Sequence, residues 1–340
     1  MVKDCFWELL FLLEGFGWYE ENKSLIRVPE RLLDKFNENM KEICRDCAGG
    51  SVRFRTNTKK MAVKCKFGFK RESATNTQSC DAGFDLYRIC NGEYQFVGTF
   101  RPNLNENFID MERNITDEDK VYDYVLYMPI MSYVEDFSVG FEKDSVIEKA
   151  TERKDKRRVV VYGSSISQGG CASRPGLSYP SILSRMLGVE FINLGFAGNC
   201  LGEEFLAKEI AKLNFDAFIM EYDENTPDAA HLLKTHQSFF EIIRKAHNNI
   251  PIIIMTKPDF RHNVRKDIAK RREIIYATYK NAVEKGDKNV YYIDGREMFP
   301  DDIRGDFSND TTHPNDMGFY KMANKIYPVL KRELNIHNFI

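Results

Sequence analysis

The second half of the chain carries a rhythm that few folds accommodate. Five short apolar runs, at 158–162, 191–194, 216–220, 251–255 and 290–293, recur roughly every 25–40 residues. Amphipathic stretches fill the intervals; between the third and fourth runs, Leu232, Leu233, His236, Phe240 and Ile243 are expected on one helical face. Strands alternating with helices build a parallel sheet, because each return to the same edge needs a crossover, and the crossover helices cover both faces. Ligands of such sheets bind beyond the carboxyl ends of the strands. The residues that follow each run are therefore the ones to read for chemistry.

The first half has a different texture. Short β-rich runs at 52–55, 61–69, 83–90, 94–100 and 122–128 are separated by polar stretches such as 71–79 and 102–107, a spacing that predicts a β-sandwich or jelly roll. One helix is predicted over 30–48, where Leu33, Phe36, Met40 and Ile43 fall three and four apart. At roughly 150 residues per domain, 340 residues suggest two. We place a β-sandwich at 1–148 and an α/β domain at 156–340, joined by a polar connector that ends in the solvated run Lys154, Asp155, Lys156, Arg157, Arg158.

Composition narrows the function classes. With 49 Lys and Arg against 51 Asp and Glu, there is no cationic excess to hold a polyphosphate backbone, and nucleic acid is not expected as a partner. The apolar segment 6–18 is too short to span a bilayer and contains Glu8 and Glu14; without a small-residue cleavage site it reads as folded structure rather than a leader. Eight cysteines then fit a reducing, cytoplasmic setting. Cys44 and Cys47 form a lone C-x-x-C that Cys65 and Cys80 would have to complete, and buried thiols are the expectation.

Four segments stand at strand ends. After the first run comes Gly163-Ser164-Ser165-Ile166-Ser167-Gln168-Gly169-Gly170, which holds a hydroxyl at the sheet's rim on a backbone free to bend. The second run leads into Asn193-Leu194-Gly195-Phe196-Ala197-Gly198-Asn199, small enough for a substrate oxygen to reach backbone N–H groups, and the third into Glu221-Tyr222-Asp223-Glu224-Asn225, with an amide donor. Last is Asp310-Thr311-Thr312-His313-Pro314-Asn315. A three-residue spacing lets the carboxylate fold back onto imidazole Nδ1, which fixes the tautomer and leaves Nε2 free as a base.

The order Ser…Gly…Asn…Asp-x-x-His, each piece at a strand end, resembles the SGNH (GDSL-type) hydrolases. Segments 162–170, 193–199 and 313–319 are similar to one subgroup with an N-terminal β-domain, whose Gly-x-Asp-Leu-Tyr signature matches Gly83-Phe84-Asp85-Leu86-Tyr87. The resemblance implies a five-stranded, flavodoxin-like α/β/α catalytic domain. It also implies Ser165 as nucleophile, His313 as base, Asp310 as its orienting carboxylate, and an oxyanion hole from Ser165, Gly198 and Asn225. Ser164 stands where the family signature Gly-Asp-Ser has its aspartate, and Ala197 replaces a frequent serine.

The implied activity is hydrolysis of small acyl esters, acetyl above all, on carbohydrates, without cofactor or metal. Acyl transfer, or an inactive carbohydrate-binding protein on the same fold, are the alternatives. The expected partner is a small-molecule or oligosaccharide acyl ester, with a homo-oligomer allowed and no membrane surface. Arg174, nine residues past the nucleophile, is expected to meet an anionic or hydroxyl-rich part of the substrate, with Asp259 and Arg261 as further rim residues. Tyr87 and Phe84 are expected in the core rather than stacked on a sugar. A metal reading would rest on Asp306, Asp310, His313 and Asp316, but His231, His236 and His262 have no ligand spacing to complete it. The stretch 261–272 is cationic and reads as a solvated helix face. With a base of ordinary pKa near 6.5, activity is expected to rise through mildly acidic pH.

Overall fold

The structure, a computed structural model, describes residues 11–71, 73–260 and 265–336. Residues 6–10 of the apolar N-terminal segment, Arg261 and His262 lie outside them. The chain divides into two compact units, one of residues 1–155 with 172–177, the other of 156–171 with 178–340. No helix among the described residues is long and apolar enough to cross a membrane.

The first unit is an antiparallel β-sandwich. One sheet runs β1 (Leu12–Glu14), β2 (Ser51–Thr56), β7 (Tyr122–Tyr127), β4 (Phe84–Cys90), β5 (Glu93–Phe100), with β9 (Ile147–Lys149) also on β2. The other has β3 (Lys60–Lys70) between β6 (Phe108–Asn114) and β8 (Ser132–Phe141). Side chains alternate across a strand, so Val52, Phe54, Phe84, Leu86, Tyr124 and Leu126 of the first sheet meet Met61, Val63, Phe67, Val139 and Phe141 of the second in one core. Rings order its centre: Phe54 stacks on Tyr124 at 5.7 Å and meets Phe141 edge-on at 5.4 Å.

The expected helix over 30–48 is two pieces, a 3₁₀ turn at Glu30–Lys35 and an α-helix at Glu38–Ile43. The break falls at Phe36 and Asn37, both extended, where the Asn37 side chain accepts the Met40 N–H as an N-cap. Leu33, Phe36, Met40 and Ile43 are nevertheless all buried.

In the second unit, β10 (Arg158–Gly163), β11 (Glu190–Gly195), β12 (Ala217–Glu221), β13 (Ile252–Met255) and β14 (Val290–Ile293) form a parallel sheet in the order β11-β10-β12-β13-β14. The helices are α1 (Ser165–Gln168), α2 (Tyr179–Leu187), α3 (Glu204–Ile210), α4 (Ala229–Ala246), α5 (Ile268–Glu284) and α6 (Asp316–Glu333). Helix α2 packs with α6, and α4 packs with α3 and α5, as expected of layers on opposite faces of a doubly wound sheet. On α4, Leu232, His236, Phe240 and Ile243 are buried with Phe239, while Leu233 is exposed, one step off the stripe. His236 donates to or accepts from Thr278 at 2.8 Å, and burial pushes its pKa down to about 3.

The sandwich core sets the stability of the first unit. Phe54→Ala removes a fully buried ring and is expected to cost about 3–5 kcal/mol. Chemical denaturation with the denaturant slope unchanged checks it.

Candidate active site

Three neighbouring strands end in register. Gly163 pairs with Gly195 across β10 and β11, and with Glu221 across β10 and β12. The chain order reverses here, which is where open α/β sheets bind their ligands. A Cβ on Gly163 would lie 2.1 Å from Ser167 Oγ and 2.5 Å from the Glu221 carbonyl; one on Gly195 would lie 2.2 Å from the Gln168 nitrogen. Two bare backbones thus let α1 press onto the strand ends, with Ser165 at its first position.

Ser165 is nearly buried, and its Oγ lies 2.7 Å from His313 Nε2. His313 Nδ1 is 2.7 Å from Asp310 Oδ2, while Asp310 Oδ1 accepts the N–H groups of Thr312 and His313 at 2.9 and 2.7 Å. The loop holds Thr311 at φ +65°, a strained conformation for a β-branched residue. Ser308 clamps it by donating to the His313 carbonyl at 2.7 Å. Asn315 caps α6 by accepting from Gly318 N–H.

Burial favours a neutral ring at His313. It is outweighed by hydrogen bonds to Asp310 and to Cys171 and by their charge, and the pKa rises to about 9. Asp310 is desolvated too, yet its bonds to His313 and Thr312 hold it well below the usual carboxylate range. The neutral His313 ring is therefore populated at higher pH than the mildly acidic range expected for an ordinary histidine.

Gly198 sits at φ +70°, a left-handed turn that suits glycine, and is exposed. Its loop is tied to α1 because Ala197 N–H donates to Gln168 Oε1 at 2.8 Å. Asn193 reinforces the tie, donating to the Ser167 carbonyl at 2.8 Å and accepting from Gly195 N–H at 2.9 Å. Asn225 accepts Cys200 N–H on Oδ1 at 3.4 Å, which assigns the other end of the amide as donor. Its loop is held by Arg271, fully buried, which donates to the Asp223 carbonyl and to the Thr226 carbonyl and hydroxyl. Arg265 adds a bond to the Glu224 carbonyl at 2.6 Å. The described part of the cationic stretch 261–272 is thus bound into the protein at Arg265, Arg271 and Arg272, rather than being a purely solvated face.

Arg174 has partners other than the substrate groups expected for it. Its Nη1 donates to Asp85 Oδ2 at 2.8 Å and to Tyr87 Oη at 2.6 Å, and its guanidinium lies 3.6 Å from the Phe96 ring centroid. Asp85 also accepts Gly176 N–H at 2.9 Å. The Gly-x-Asp-Leu-Tyr signature is thereby explained within the first unit: Phe84 and Leu86 fill the core, and Asp85 and Tyr87 on the opposite face grip residues 174–176. Asp259 is likewise engaged, by Arg272 at 2.8 Å.

Among the described residues, one group offers metal-ligand atoms within 4.8 Å of one another, Cys171 with Asp310 and His313; Asp306 and Asp316 are not in it. The Asp310–His313 hydrogen bond already accounts for two of its members. Cys44, Cys47, Cys65 and Cys80 are all buried, and desolvation pushes the Cys47 thiol up to about 12.

Gln168, Asn193 and Glu221 carry no role that the sequence alone assigns. A signal was present for Asn193, an amide inside an apolar strand. For Glu221 there was none. Its carboxylate is fully buried, 2.9 Å from the hydroxyls of both Ser164 and Ser167, and burial with the nearby charge of Asp223 pushes its pKa up to about 8.

The model of the GDSL-like lipase/acylhydrolase family matches residues 156–331, and that of the GxDLY N-terminal domain of SGNH-hydrolase-type esterases matches 6–147. The chain belongs to the GDSL-like lipase/acylhydrolase family. A GDSL-like lipase from Bacteroides ovatus is 30% identical, with a TM-score of 0.86 over 97% of both chains. A salicylyl-acyltransferase from a tetracycline biosynthetic pathway shares the fold at 19% identity, with a TM-score of 0.76 over 96% of this chain and 94% of its own. So does a family two carbohydrate esterase from Clostridium thermocellum, solved with cellohexaose, at 14% identity and 0.62 over 85% and 93%. Among curated proteins, none matches this chain.

The raised pKa of His313 has two consequences that run in opposite directions as pH rises. The folded state favours the imidazolium, so this group's contribution to stability is full below pH ~6.5 and is lost as pH rises through about 9. The neutral base gains population over that same upper range. An NMR titration of the His313 ring is expected to give a midpoint above 6.5 in the wild type, and a lower one in Asp310→Asn.

Proposed function

We propose that this protein is a serine esterase that removes small acyl groups, acetyl above all, from carbohydrate hydroxyls. The observation that carries this reading is the unbroken relay from Ser165 Oγ through His313 to Asp310, each link 2.7 Å long. Ser165 Oγ attacks the acyl carbonyl while His313 Nε2 takes its proton, then returns it to the leaving sugar oxygen. Water, deprotonated by the same ring, resolves the acyl-enzyme. Asp310 keeps Nδ1 protonated and stabilises the imidazolium.

The developing oxyanion is met by three donors: the Ser165 N–H, orphaned at the start of α1, the Gly198 N–H, and the Asn225 side-chain amide. Esterase chemistry is supported by the family, and a carbohydrate alcohol by likeness in fold to an esterase solved with cellohexaose. Acyl transfer to an alcohol other than water is the second reading, favoured by the salicylyl-acyltransferase, whose fold this chain follows over 96% of its length.

Acetylated mono- and oligosaccharides, incubated with wild type and Ser165→Ala, test the proposal. Acetate release by the wild type alone is expected, with a stoichiometric burst from p-nitrophenyl acetate that Ser164→Ala keeps. A burst lost in Ser164→Ala and kept in Ser165→Ala would reassign the nucleophile, and no burst at all would favour a non-catalytic binding protein. An added alcohol that captures the acetyl group in preference to water would favour the second reading.

Asn225→Ala is expected to lower kcat by about 10²–10³ with the melting temperature little changed. Steady-state kinetics beside a thermal melt checks it.

A further inference from the structure

We infer that Glu221 is the positioning residue of the nucleophile, a buried clamp that fixes where Ser165 Oγ sits. The inference rests on the esterase reading above, and deepens it. Residues on both sides of Ser165 are tied to this one side chain. Ser164 Oγ lies 3.1 and 2.9 Å from its two carboxyl oxygens, and Ser167 Oγ lies 2.9 Å from Oε2. The Ser164 N–H donates to the Glu221 carbonyl at 2.9 Å, so main chain and side chain of one residue hold the same turn.

The clamp has its own support. Tyr179 Oη on α2 lies 2.8 Å from Ser167 Oγ, and Ser164 Oγ accepts the Ile166 N–H at 3.1 Å as the cap of α1. Glu221, Ser164, Ser167 and Tyr179 are all essentially inaccessible to solvent. A carboxyl group is costly to bury, and neither Arg nor Lys is an ion-pair partner of this one among the described residues. Its bonds go to the hydroxyls that flank the nucleophile. A core that needed filling would be served better by an apolar residue; a turn that must hold one oxygen in place is served by hydrogen bonds on either side of it. Ser164, the departure from the Gly-Asp-Ser signature, is thereby accounted for: the carboxyl group in this turn is supplied by residue 221, and position 164 supplies the hydroxyl that meets it.

The test uses the full-length protein, with labelling by a fluorophosphonate and hydrolysis of p-nitrophenyl acetate as readouts. Glu221→Gln, which can still accept from one hydroxyl and donate to the other, is expected to keep kcat within about fivefold of the wild type. Glu221→Leu, close in size and without polar atoms, is expected to lose about a hundredfold in kcat and in labelling rate with KM within about twofold, because a displacement near 1 Å costs that much. Ser164→Ala/Ser167→Ala is expected to lose a similar factor, and Glu221→Leu added to that pair to lose no more than a further twofold. Glu221→Leu with wild-type kcat, or a full additional loss on top of the serine pair, would overturn the role. If Glu221→Leu does not fold, the serine pair decides: wild-type kcat there overturns it. Unlabelled, inactive wild type would instead overturn the esterase reading, and the role of Glu221 with it.

Discussion

The site depends on a steric condition at one edge of the parallel sheet. Strands β10, β11 and β12 end level with one another, and two of the three terminal residues are glycines with no room for a side chain. That lets the four residues of α1 lie against the strand ends instead of arching over them. Ser165 is then delivered by main-chain geometry, and Gln168 is brought close enough to hold the loop of Gly198. An alanine at 163 would displace the helix, and with it the relation of the serine to every group that acts with it. Backbone bareness is doing here what a rigid side chain does elsewhere.

Two carboxyl groups serve this edge, and their surroundings push them apart. Asp310 accepts two backbone N–H bonds and faces an imidazole, so it stays ionised and draws a proton onto His313. Glu221 is sealed among hydroxyls with Asp223 nearby, and its charged form is disfavoured. In the mechanism we propose, one group governs the electronics of the base and the other the placement of the nucleophile. Divergent environments of this kind are how a site assigns different work to chemically similar groups.

Much of this architecture was legible in the chain because it is written in local spacing. The five apolar runs correspond to β10–β14, and the small residues after them to the loops of the site. Strands β6 and β8 were harder to read. Phe108 to Asn114 alternates charge with bulk on an edge strand, and Ser132 to Phe141 carries Glu135 and Asp136 outward, so neither shows an unbroken apolar signal. Asn37 broke a helix whose hydrophobic spacing alone would have continued it. The larger misses were relationships between distant positions. Arg174 reads in the sequence as a substrate contact, whereas the sheet brings Asp85 and Tyr87 to it, and Glu221 reads as one more polar residue at a rim, whereas strand register sets it between Ser164 and Ser167.

The closeness of Asp310 and His313 along the chain has an effect on motion. Carboxylate and imidazole belong to a single tight turn, stiffened by the backbone bonds to Oδ1 and the left-handed Thr311. If that turn swings outward as substrate enters or product leaves, both groups travel as one body. The ring then keeps its proton on the same nitrogen throughout the excursion. In such an excursion a single gap opens and closes, from Nε2 to Ser165 Oγ, and the imidazole returns to it with its tautomer unchanged.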